Sequence, residues 1–294
     1  MRRTIRAPLL LWRWSNLRMK VGLSLLIVAV LASVVALLVR KYPPNTPGVG
    51  VVLSQPSGQF WLGTDNLGRD EFARVFVGVG LSLEVGAIVA GIALAIGVPL
   101  GVLIGYRSGV VDAVVSRILD VIFAFPSLLL ALVLVTILGS GLNTAVLALV
   151  IVYVPIVTRF TRGATLAERE RDYIAASRIC GAGFIRIAAK GILPNLASGL
   201  LVLASSIFSF AILAEAALSY LGLGAQPPTA TLGKLLADDQ GFVTSAPYLV
   251  IFPAIAISYL VLALNILGDG LRDRLDPRLN QKGSALSAAA AVIP

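Results

Sequence analysis

The chain has 294 residues, 57% of them hydrophobic and only 13% charged, with a net charge of +9 and a mean hydropathy of +0.92. A soluble fold of this size does not cover so much apolar surface, so the bilayer is the natural solvent. A single cysteine, Cys180, excludes an intrachain disulfide and a multi-cysteine metal site. The absence of histidine removes the commonest general base and transition-metal ligand.

The first element, Leu9–Lys20, mixes Trp12 and Trp14 with basic residues. It reads either as an interfacial elbow helix or as a plain basic flank, in a cytoplasmic segment 1–20. A bilayer span needs about 20 mostly apolar residues. The first is predicted at Val21–Val39; its apolar run is too long for a signal peptide, so it reads as a retained anchor. A Pro- and Gly-rich loop over Tyr42–Gly80 follows, then a second span at Ser82–Tyr106 with Glu84 near its start. Ala93, Gly97, Gly101 and Gly105 recur every fourth residue there, a small-residue stripe for close helix packing. Pro99 and Pro126 are expected to kink their helices. The third and fourth spans, Ile118–Leu138 and Leu142–Thr158, are joined only by Gly139, Ser140 and Gly141. The fifth, Leu196–Leu221, contains Glu215. A loop over Gly222–Ala246 leads to the sixth, Pro247–Leu267, and the end of the chain, 280–294, reads as a weakly ordered tail.

Orientation follows the basic residues. With the N-terminus inside, 19 of the 24 Lys and Arg fall on inside segments. Both termini are therefore expected in the cytoplasm. Membrane topology accounts for the basic residues, membrane lipid is the expected surrounding, and nucleic-acid binding is a poor reading.

One inside segment is not oily. Leu166–Cys180 reads as a helix with Leu166, Tyr173, Ala176, Ser177 and Cys180 near one face. Gly181 and Gly183 offer the positive φ of a sharp exit. A second short helix starts near Phe184, and Pro194 marks the start of the fifth span. Such a hairpin, with Ala175, Ala176 and Ser177 forming a face of small residues, reads as a rigid docking element over about 166–194. The plainer alternative is an amphipathic linker on the membrane surface.

The pattern D-Y-I-A-A-S-R-x-x-G followed by I-L-P-N resembles the EAA loop of ABC-importer permeases. WLGTDNLGRDEFAR (Trp61–Arg74), DVIFAFPSLLLAL (Asp120–Leu132), LSYLGLGAQPPTATLG (Leu218–Gly233) and LGDGLRDRLDPRL (Leu267–Leu279) are similar, in order, to segments of the dipeptide, oligopeptide and nickel permeases. The resemblance is to their C-type, second-permease subunit. It implies an all-α polytopic protein with the type I importer permease fold: six transmembrane helices over 21–279 and a cytoplasmic coupling helix. It further implies a heterodimer with a homologous second permease, two cytoplasmic ATPase subunits or domains that bind ATP and Mg, and an extracytoplasmic substrate-binding protein. The expected coupling residues are Arg169, Glu170, Asp172, Tyr173, Ala175, Ala176, Ser177, Gly181, Leu193 and Pro194. Gly181 matches the loop's glycine, and Leu193 and Pro194 its terminal Leu-Pro. The glutamate that often opens E-A-A is replaced by Ala175, which removes any salt bridge at that position.

No G-x-x-x-x-G-K-[ST] phosphate loop occurs, and the Gly233-Lys234 pair is followed by Leu-Leu. The chain is thus expected to be non-catalytic, with ATP hydrolysed by its partners; no catalytic residue, metal site or cofactor of its own is expected. Glu84, Phe125 and Glu215 are the candidates for the translocation pathway or a subunit interface, and a structural role is the alternative for the two acids. The expected activity is ATP-driven import of dipeptides or oligopeptides across the bacterial cytoplasmic membrane. Import of another cargo such as nickel is the first alternative. A self-sufficient secondary transporter or channel is a second, and a membrane-embedded enzyme the last.

Overall fold

The computed structural model describes residues 17–275, and within them the regular structure is helical, joined by loops that include the long segment 40–70 with one isolated bridge between Thr64 and Asp70. Most of Leu9–Lys20, the tail 280–294 and the end of the Leu267–Leu279 segment lie outside the described residues. The long helices are α1 (Leu17–Val39), α2 (Glu71–Arg107), α5 (Leu142–Arg169), α8 (Leu193–Tyr220) and α10 (Tyr248–Leu275). Five uninterrupted stretches are long and apolar enough to cross a bilayer. A sixth passes the same test of length and composition only when a bent pair, α3 (Val110–Phe123) and α4 (Ser127–Leu138), is taken as one span.

That pair bears out the kink expected at Pro126 and turns it into a break between two helices. Ile118–Leu138 is not one helix: α3 and α4 meet at 89°. Pro126 caps α4 at ψ 129°, has no N–H to give α3, and disfavours helical dihedrals in the residue before it. Pro99 sits inside the continuous α2, as Pro155 and Pro253 sit inside α5 and α10.

The second span also begins earlier than hydropathy suggests. α2 starts at Glu71, where Asp70 accepts a hydrogen bond from the Phe72 N–H and caps the first turn. Its 37 residues are about 55 Å long, well beyond the roughly 30 Å apolar core. α5 likewise runs on from Thr158 to Arg169, so the expected helix Leu166–Cys180 is split. Glu170 and Arg171 separate α5 from α6 (Asp172–Ile179).

The centre of the bundle is the α2–α5 contact. Ala93 is fully buried, and a methyl built on Gly97, Gly101 or Gly105 meets Val157, Thr161 or Thr165 at 2.6, 2.5 and 2.8 Å. The stripe on α2 therefore lies backbone-close against the row Val157, Thr161, Thr165 on α5, all of it fully buried. α1 closes on α10 in the same way: Gly22 faces the backbone of Leu267, and Gly270 faces Met19. One apolar core joins α2, α4, α5 and α8 around Val89, Val135, Leu149 and Leu218. A second joins α1, α2, α8, α10 and α9 (Leu232–Asp239) around Ile212, Leu235 and Leu260. The expected loop over Gly222–Ala246 thus holds a helix, α9, packed into this core.

Candidate functional site

The charged hairpin is built as two helices and a turn. α6 exits through Gly181 at φ +78°, with Gly181 N–H donating to Arg178 O and Ala182 N–H to Ser177 O, which closes the helix end. Gly183, expected to share that role, has an extended φ of −70° and instead precedes α7 (Phe184–Ile187). A π-helical turn over Ala188–Ile192 then feeds α8. Pro194 lies in the first turn of α8, where its missing N–H costs least.

The hairpin is braced on its inner side. Ile174 of α6 is fully buried with Ile187, Ile192 and Leu196. Gly191 makes room for it, since a methyl there would stand 2.7 Å from the Ile174 Cδ1. Tyr173 Oη donates to Glu168 Oε1 at the end of α5. It accepts from Asn195 Nδ2 at 2.8 Å, and Asn195 also donates to Gly191 O at 2.7 Å. Burial and the Glu168 carboxylate push the Tyr173 hydroxyl above its ordinary pKa, so it stays protonated and able to donate. Arg169 Nη1 donates to Gly105 O at 3.0 Å and to Ser108 Oγ, tying the end of α5 to the end of α2. Arg178 lies 4.8 Å over the Tyr106 ring, and Tyr106 packs on Phe184.

The outer side is bare. Asp172, Ala175 and Ala176 are exposed, as are Cys180 and Gly181. Ile179 and Ile185 are 87% and 81% exposed, the most uncovered isoleucines on the chain among the described residues. Sequence reasoning did not single out these two. Their signal was available: two large apolar residues flank the Gly181–Gly183 turn in an otherwise polar segment. Of the expected coupling residues, then, Asp172, Ala175, Ala176 and Gly181 share the open face. Arg169 and Tyr173 belong to the bracing, Glu170 pairs with Arg169 at 2.9 Å, and Ser177 bonds back to Tyr173 O at 2.8 Å. Leu193 is half-buried and Pro194 exposed at the base.

Glu84 is not near the start of its helix but thirteen residues into α2. It is exposed in a groove of ≈ 420 Å³ against Val30, Val34 and Leu37 of α1. Phe125 is 56% exposed at the corner between α3 and α4. Glu215 is fully buried, its Oε1 accepting from Ser219 Oγ at 2.6 Å, so it faces neither an open path nor an outer surface in this structure.

The structure adds a buried ionic cluster at the end of the bundle opposite the hairpin. Asp65 is fully buried and accepts from the Leu67 and Arg69 N–H groups at 2.9 and 2.8 Å. Its Oδ2 lies 2.5 Å from Arg69 Nε and 3.6 Å from Arg74 Nε. Glu71 of α2 and Asp239 of α9 are buried beside them. Burial, with the Asp65 charge added, pushes the Asp239 carboxyl up to about 7. Asp65, Arg69, Glu71 and Arg74 belong to the WLGTDNLGRDEFAR segment, and Asp239 comes from α9.

A bundle of long, partly broken spans that carries a braced helical hairpin at one end defines the permease of an ABC importer. Comparison with known proteins agrees. The family of binding-protein-dependent transport system inner membrane components matches residues 97–281. The dipeptide transport system permease protein DppC of Escherichia coli K12 is 49% identical over 267 residues, 89% of each chain. The di/tripeptide transport system permease protein DppC of Pseudomonas aeruginosa is 42% identical over 264 residues, 88% of this chain and 87% of that one. DppC of Haemophilus influenzae is 39% identical over 267 residues, 89% and 90% respectively. Among solved structures, a chain of the inward-facing MetNI methionine ABC transporter shares the fold. Its TM-score is 0.56 at 23% identity, over 68% of this chain and 94% of that one. The chain belongs to the family of binding-protein-dependent transport system inner membrane components: it is a multi-pass membrane component of an ABC importer, a machine that works with ATPase and substrate-binding partners.

Proposed function

We propose that this chain is the C-type membrane subunit of an ATP-driven importer of dipeptides and oligopeptides. The cargo reading rests on the peptide permeases it is similar to over about nine-tenths of its length. Its partners are a homologous second permease, two ATPase subunits or domains holding ATP and Mg, and an extracytoplasmic binding protein. The chain itself is non-catalytic, with both termini on the cytoplasmic side and the ionic cluster facing out.

One observation carries the coupling role. The hairpin is held from below by the Ile174 cluster, the Tyr173–Asn195–Glu168 hydrogen bonds and Arg169, while Ala175, Ala176, Ile179 and Ile185 stand bare above it. Exposed apolar residues on a braced, charged projection support the docking reading over that of a membrane-lying linker. In this reading the ATPase closes on α6, and the push passes through Tyr173 and Asn195 into α8 and through Arg169 into the α2–α5 pair. The bundle is the two-state element that nucleotide biases.

The test is Ala176→Arg in the reconstituted complex. The variant is expected to insert and assemble with the second permease, while uptake falls to background and ATP hydrolysis no longer responds to the loaded binding protein. Normal ATP-driven peptide uptake by this variant overturns the docking role.

A further inference from the structure

We infer a phospholipid site between α1, α2 and α10, at the end of the bundle opposite the hairpin. An apolar groove of ≈ 310 Å³ runs there, walled by Val28, Ala32, Val75, Phe76, Ile255 and Tyr259. It is open toward the membrane, with Val28 and Ile255 more than half exposed. Directly beyond its outer end lies a polar notch that includes Arg40, Lys41, Gln59 and Asp70.

Three features make groove and notch one site. First, they share a wall of aromatic rings. Trp61 packs edge-on against Phe72 at 4.8 Å between centroids, and Phe72 packs on Phe76 at 4.7 Å; Trp61 and Phe72 line the notch and Phe76 the groove. Second, helix geometry lines them up. Val28, Ala32 and Val39 fall on one face of α1, so a chain lying along that face runs from the groove to the cations at its end. Third, the notch has the charge a phosphate needs. Among the described residues, Arg40 and Lys41 donate no side-chain hydrogen bond and form no ion pair. The one acid in the notch, Asp70, caps α2 and lies within electrostatic reach of Lys41, so the notch sets two cations against one carboxyl group and Arg40 is the cation left over. Trp61, half exposed beside them, is the residue type that settles at headgroup depth.

The occupant is therefore a diacyl phospholipid. Its phosphate rests at the mouth of the notch against Arg40 and Lys41, outside an interior of only ≈ 20 Å³, with Trp61 beside it, and one acyl chain fills the groove. Free inorganic phosphate has no use for the groove, and a neutral diacylglycerol has none for the cations. The site is independent of the coupling hairpin and of the cargo.

The experiment uses the full-length chain in its assembled complex in membranes, with a phosphatidylglycerol carrying a photoactivatable group on its acyl chain. Labelled peptides are mapped by mass spectrometry. Label is expected on the segments around 28–32 and 252–259. The double change Arg40→Ala and Lys41→Ala should lower it severalfold. Ala32→Trp, which fills the groove and leaves the cations in place, should abolish it, and a matched diacylglycerol probe should label weakly. The proposal fails if label spreads evenly over the lipid-facing helices, if neither variant changes it, or if diacylglycerol labels equally. It also fails if the groove labels in the isolated chain but not in the complex, because a partner helix then occupies it. Native mass spectrometry of the same variants gives a second readout: retained phosphatidylglycerol is expected on the unmodified complex and lost from both variants, and equal retention on all three overturns the assignment.

Discussion

Replacing Gly101 by alanine sets two effects of known size against each other. A methyl at this position stands 2.5 Å from Thr161 Cβ and 2.7 Å from the Thr158 carbonyl oxygen, where ordinary contact begins at 3.4 Å. The carbonyl belongs to the α5 backbone and cannot turn aside. α2 and α5 must therefore part by about 1 Å, forfeiting much of the dispersion contact along their seam. Overpacking of this kind costs about 1–3 kcal/mol. Against it stands the gain from alanine over glycine inside a helix, about 1 kcal/mol. Gly91 is the internal control: it lies on the same helix, is exposed, and has nothing within 4 Å of its would-be methyl. Gly91→Ala keeps the propensity gain without the clash. The two variants should therefore differ by the clash alone, about 1–3 kcal/mol, or roughly 2–12 °C in melting temperature. Thermal unfolding of the purified chain in detergent, read by circular dichroism, measures the gap. A Gly101→Ala protein that melts with or above Gly91→Ala refutes the close-packed seam.

Two further perturbations address the hairpin and the outer cluster. Tyr173→Phe and Asn195→Ala each remove hydrogen bonds of about 1 kcal/mol from the bracing. ATP hydrolysis by the complex should persist while peptide uptake per ATP drops severalfold; unchanged coupling in both variants removes these residues from the transmission path. Asp239, with its carboxyl raised from 3.8 to about 7 in the folded chain, binds a proton more tightly folded than unfolded. Stability from this group is full below about pH 4, declines as pH rises toward 7 and is lost above it. Melting temperatures taken between pH 5 and 8 should fall with pH, and Asp239→Asn should flatten the slope. An identical slope in the variant means another group sets it.

Much of the architecture follows from local composition. Apolar runs of span length, basic residues gathered in alternate connections and a four-residue glycine repeat each act through the chain's own backbone and the bilayer, so they are legible in one dimension. The hairpin is legible too, because Gly181 permits the positive φ of a sharp exit and Pro194 fixes φ and lacks an N–H wherever it occurs. Only the tertiary structure decides the rest. Hydropathy stops α2 at Ser82 because Glu71 and Arg74 look like water-facing charges; folding buries both beside Asp65 and Asp239, which come from the preceding loop and from α9 far along the chain. Pro126 announces a bend between α3 and α4, but hydropathy still reads them as one span, and only the structure shows that the bend reaches 89°. For Glu215 the sequence leaves a pathway contact and a structural role both open, and only the fold, which buries it and sets Ser219 against it, favours the structural one. And Tyr173 looks like part of a docking face until Asn195, twenty-two residues on, donates to its hydroxyl. Burial and pairing are properties of what comes near in space, and for these residues that partner is distant in sequence.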